Sequence, residues 1–133
     1  MTTVPFACIS LPSRPEAVPR ARHAMSAVVP DGSMADDGRL LLSEAVANAV
    51  AHTDSRSVRV LIRHQEDTGE IMCAVRDSST RVPTGAPRGG VAGNRESGRG
   101  LHLIETLSDD WGHLVDSHGK WTWFRLAPGK DAA

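Results

Sequence analysis

The run Leu40 to His52 (LLLSEAVANAVAH) carries Leu42, Val46, Ala49 and Val50 as an apolar stripe at helical spacing, and two alternating runs follow it, Ser57 to Arg63 and Glu70 to Asp77. This order constrains the fold more than any other feature. An amphipathic helix cannot bury its stripe alone, and two strands joined through Asp67-Thr68-Gly69 offer one apolar face to receive it. The strands are expected to pair antiparallel. Upstream, Val18, Ala21, Ala24, Met25 and Val28 recur at helical spacing between Arg14 and about Val29, and Pro30-Asp31-Gly32 closes that first helix. Val4 to Leu11 reads as a short strand, placed at a sheet edge by Pro5, whose missing N–H is tolerated there. Asp36 and Asp37 supply acidic groups ahead of a second helix that runs from Leu40 to His52.

Downstream, Ser78 to Ser97 contains Pro83, Pro87, Gly85, Gly89, Gly90 and Gly93 with almost no apolar periodicity. A long loop of that kind inside a small domain is a candidate lid. Gly98-Arg99-Gly100 then opens a third helix with Leu101, Leu103, Ile104 and Leu107 apolar. A terminal hairpin follows, Asp110 to Val115 and Lys120 to Leu126, turning at Ser117-His118-Gly119. Helices and strands are segregated, which predicts an α+β two-layer sandwich, and 133 residues correspond to one domain spanning 1–133.

The charge balance, 15 Lys+Arg against 16 Asp+Glu for a net of -1, leaves no basic block to track a phosphate backbone, so direct nucleic-acid binding is not expected. The N-terminal stretch lacks a basic region and is broken by Pro5 and Pro12, so neither a signal peptide nor a membrane span is read, and the cytosol is the default location. Cys8 and Cys73 each lie among apolar residues and are expected to be buried free thiols. Trp111, Trp121 and Trp123, without a basic groove beside them, are assigned to core and sheet-face packing. His23 is followed by Ala24 rather than an acidic residue, which argues against a phosphoacceptor role.

Glu44, Asn48 and His52 recur one helical turn apart and project into one space. A carboxamide oxygen beside a carboxylate suits a Mg-nucleotide site, because Mg²⁺ takes few protein oxygens and keeps water and phosphate as its other ligands. Glu44 would then accept the proton of a hydroxyl attacking the γ-phosphate. Spacing alone leaves open whether these residues do this or simply solvate the polar side of the helix. His52, near the helix C-terminus, is left outside the catalytic set. The glycines at 98 and 100 would let backbone N–H groups approach phosphate oxygens at a helix start, although a glycine loop entering a helix is also an ordinary turn.

Taken in order, SEAVANAVAHT, VRDSSTRVP, ESGRGLHLIETLSDDWG and GKWTWFRL resemble the GHKL, or Bergerat-fold, ATPase superfamily. The resemblance covers nearly the whole chain and is nearest to the small stand-alone anti-sigma-factor serine kinases and related ATP-binding regulators of the actinobacterial type. It implies a mixed, mainly antiparallel sheet covered on one face by about three helices, with a lid over residues 78–97. It also implies ATP and Mg²⁺ as ligands, with Glu44 as general base and Asn48 as magnesium ligand. Asp77 would accept the adenine amino group, and Thr122 would complete adenine recognition through water. Gly98, Arg99, Gly100 and Leu101 would meet the phosphates. The implied function is Ser/Thr phosphorylation of an anti-anti-sigma-type partner and sequestration of a sigma factor, by a protein that can pair as a homodimer. One departure stands out: many members carry glycines after the strand-end Asp, whereas this chain has Ser78-Ser79-Thr80. That difference leaves a non-catalytic, nucleotide-gated interaction module as the alternative.

Overall fold

The computed structural model describes residues 5–52, 54–81 and 103–129. In chain order the elements are β1 (Phe6–Pro12), α1 (Ala17–Val28), α2 (Ser33–His52), β2 (Ser57–Gln65), β3 (Glu70–Asp77), a helical turn over 103–107, β4 (Asp110–Asp116) and β5 (Gly119–Leu126). Strands form one five-stranded sheet in the order β1-β2-β3-β5-β4, and the helices cover one face of it, giving the expected α+β sandwich.

Among the described residues every strand pairing is antiparallel, so the sheet is the mainly antiparallel one expected and has no parallel pair to make it mixed. The reason lies in the connectivity. β3 and β4 run in the same direction, but the tight β4–β5 hairpin folds β5 back into the slot between them, so they never become neighbours. The β2–β3 turn uses Gly69 at φ +79, a left-handed conformation that glycine adopts without a Cβ penalty, and Gly69 N–H donates to the Gln65 carbonyl at 2.7 Å.

Alternation along the strands decides what is buried. Val58, Val60 and Ile62 on β2, Ile71, Cys73 and Val75 on β3, and Phe124 and Leu126 on β5 share the helix-facing side and are all buried. Against them pack Leu41, Leu42, Ala45, Val46 and Ala49 of α2, together with Ala17, Ala21 and Met25 of α1. Trp111 belongs to this core. Trp121 and Trp123 lie on the opposite, helix-free face, where they line a shallow apolar depression with Leu61, Met72, Ala74 and Leu114.

Two expectations need correction. α2 begins at Ser33 rather than Leu40, so Asp36 and Asp37 lie inside it. Gly38 hides this extension, because glycine weakens a helix in isolation; here it admits the close packing of α1 and β5, and an added Cβ would come within 3.2 Å of Met25 Sδ and 3.6 Å of Leu126 Cδ1. Cys8 is exposed, because the alternation of the edge strand β1 turns it away from the helices, while Cys73 is buried and its thiol pKa is raised by desolvation. Among the described residues no helix is long and apolar enough to cross a membrane.

Candidate nucleotide site

α2 carries its buried residues toward the sheet, and Glu44 and Asn48 fall just outside that stripe. Both are partly exposed, one turn apart on one flank of the helix. Leu41, Leu42, Ala45, Val46 and Ala49 anchor the same turns in the core, so the two polar groups stand on a fixed base. The Asn48 carboxamide is a hard oxygen donor of the kind Mg²⁺ accepts alongside phosphate and water. Among the described residues no three His, Cys, Asp or Glu side chains converge as a metal cage.

Asp77 closes β3 on the helix-facing side and is only 5 % exposed. Its Oδ1 accepts from Lys120 Nζ at 3.1 Å and from the Ser79 N–H at 2.8 Å. Lys120, its register partner on β5, is equally buried, so the pair is an internal ion pair rather than a surface one. Gly119 permits the strands to close here: an added Cβ would stand 2.2 Å from the Asp77 carbonyl oxygen. Thr122 follows two residues along the same face of β5, and its Oγ1 lies 3.1 Å from His113 Nδ1 on β4. The His113 ring meets Trp111 edge-on, with centroids 5.6 Å apart and an interplanar angle of 83°. Burial pushes the His113 pKa down, the Lys120 ammonium pushes it further, and Asp77 partly offsets both.

The structure therefore gathers Asp77 and Thr122 on one side of the sheet and places Glu44 and Asn48 on the helix that covers that side. Gly98, Arg99, Gly100 and Leu101 lie outside the described residues, as does the expected lid from residue 82 onward. The serines that replace glycines have an account. Ser78 Oγ lies 3.0 Å from Ser55 Oγ, which also accepts from the Ser78 N–H at 2.8 Å, and Ser79 Oγ accepts from the Arg81 N–H at 3.1 Å. Side-chain bonds of this sort fix a turn locally.

Lys120 and His113 were missed from the sequence. A signal was present for the first: Lys120 is in phase with Phe124 and Leu126, so the alternation that buries those residues also buries the lysine. His113 carried no motif.

The comparisons with known proteins decide the family. The model of the histidine kinase-like ATPase domain matches residues 11–126. The chain belongs to that family. A serine-protein kinase, RsbW of Oceanobacillus iheyensis, is 33 % identical over 125 residues, covering 83 % of this chain and 79 % of the relative. In fold, the histidine kinase domain of the blue-light activated histidine kinase EL346 from Erythrobacter litoralis superposes with a TM-score of 0.51 at 17 % identity, over 86 % of this chain. This chain spans 60 % of that kinase chain. The histidine kinase-like ATPase family is the GHKL superfamily that the four motifs resemble, and membership in it implies a nucleotide-binding domain.

Proposed function

We propose that this GHKL domain is a cytosolic ATP-dependent regulator that phosphorylates a serine or threonine of an anti-anti-sigma-type protein and at other times sequesters a sigma factor. The observation that carries the reading is the placement of Asp77 and Thr122 on the sheet face covered by the helix that bears Glu44 and Asn48. The RsbW relative is a serine-protein kinase, which supports transfer to a hydroxyl.

In this reading Asp77 accepts a hydrogen bond from the adenine amino group and Thr122 completes the base contact through water. Asn48 lends its amide oxygen to Mg²⁺, which supplies charge neutralisation at the phosphates when bound. Residues 98–101 would approach the phosphates, and the 78–97 segment would form a lid on a domain spanning 1–133. Glu44 takes the proton of the attacking hydroxyl as its oxygen bonds to the γ-phosphorus and the bond to the ADP oxygen breaks. Homodimerisation belongs to the same proposal: on the helix-free face Cys8, Leu61, Ala74, Trp123 and Gly112 form a row across all five strands that carries no charge.

A second reading, a nucleotide-gated interaction module without turnover, is favoured by one observation. The Ser78 and Ser79 hydroxyls tie down the turn after Asp77 where many relatives have glycine. Incubation with Mg-ATP and an anti-anti-sigma-type partner separates the two. The kinase reading expects one phosphate on a partner Ser or Thr by intact mass and peptide mapping; nucleotide binding with an unmodified partner would leave only the module.

A further inference from the structure

The base end of the site contains one imidazole with two unequal nitrogens. His113 Nδ1 is 3.1 Å from Thr122 Oγ1, whereas its Nε2 is buried and has no hydrogen-bond partner among the described residues. Burial and the neighbouring Lys120 ammonium both favour the neutral ring, which leaves one proton to place. On Nε2 that proton would form a buried N–H with no acceptor, the costlier kind of orphan; on Nδ1 it has the threonine oxygen to receive it.

We propose that His113 sets the polarity of base recognition: its Nδ1–H donates to Thr122 Oγ1, which leaves the Thr122 hydroxyl free to offer its own proton to the ligand side. This inference rests on Thr122 lying at the purine end of the site. A threonine that donates to the bridging water leaves that water both of its protons, one for the Asp77 carboxylate and one for the base, and so favours a purine whose N1 is a bare acceptor, as in 6-aminopurines. It disfavours a 6-oxopurine, whose N1 carries a hydrogen. His113 is thus a positioning residue that adds selectivity for adenine over hypoxanthine to the contact made by the Asp77 carboxylate. Trp111, edge-on to the ring, helps to hold the imidazole in this arrangement.

Two measurements test it. In the wild-type protein, two-bond ¹H–¹⁵N correlation spectra of the His113 ring should show a protonated Nδ1 and a bare Nε2; the opposite tautomer overturns the proposal. Calorimetric affinities for ATP and ITP should favour ATP, and His113→Phe should reduce that ratio by roughly fivefold, the scale of one hydrogen-bond preference. Thr122→Val should reduce it as well, and adding His113→Phe to Thr122→Val should change nothing more. A ratio that responds to Thr122→Val but not to His113→Phe sinks the role of His113 and leaves the base site standing. A ratio indifferent to Thr122→Val, or a wild type that binds neither nucleotide, removes the base-site reading and this inference with it.

Discussion

Glu44→Ala is expected to lower phosphate transfer to the partner by about 10²- to 10⁴-fold, the range over which a positioned general base acts, while ATP affinity changes only a few-fold. The separation of the two effects is the point. Glu44 sits on the partly exposed flank of α2, outside the stripe that holds the helix to the sheet. Alanine at that position removes a carboxylate without opening the core, and it is the best helix former. Loss of binding together with transfer would mean that Glu44 holds the nucleotide instead of the proton. Transfer equal to wild type would remove Glu44 from the mechanism.

The second large effect concerns stability and binding together. Asp77 and Lys120 are each 5 % exposed, and Oδ1 and Nζ are 3.1 Å apart. Breaking a buried pair by removing one partner leaves the other charge desolvated and alone, at a cost of about 3–5 kcal/mol. Asp77→Asn is therefore expected to destabilise the protein by that amount in urea titrations. Lys120→Met leaves the carboxylate with the Ser79 N–H as a remaining donor, so its cost should fall at the lower end. The double variant Asp77→Asn/Lys120→Met should recover most of the loss, since neither charge is then buried unpaired. It should also fold and yet bind ATP poorly, because the carboxylate proposed to read the base is gone. Simple addition of the two single losses would show that the pair is not coupled in the way the geometry requires.

Much of this fold could be read from residue spacing because the relevant signals are local. The β2–β3 pair follows from alternation and a Thr68-Gly69 turn, and β3 occupies the expected residues, Glu70–Asp77. The stripe of α2 follows from 3.6-residue periodicity. What escaped the reading depends on contacts distant in sequence. The start of α2 at Ser33 rests on Gly38 packing against Met25 and Leu126, and Leu126 is on the last strand. The all-antiparallel sheet rests on β5 entering between β3 and β4, a choice that no single segment encodes. Cys8 was placed wrongly because an apolar neighbourhood in sequence does not say which face of an edge strand a residue takes. Glu44 and Asn48 are proposed from helical spacing and Asp77 and Thr122 from the family resemblance, whereas the Lys120–Asp77 and His113–Thr122 pairs exist only through cross-strand register.

The central claim, that Mg-ATP is held with Asn48 on the metal and Asp77 on the base, is tested most directly by calorimetric titration of ATP with and without Mg²⁺. The wild type and Asn48→Ala should be measured side by side. Wild type should bind ATP more tightly with Mg²⁺ than without it, and Asn48→Ala should lose that dependence while keeping the residual affinity of the base contact. Absence of ATP binding under both conditions, or a magnesium response that survives intact in Asn48→Ala, would contradict the account.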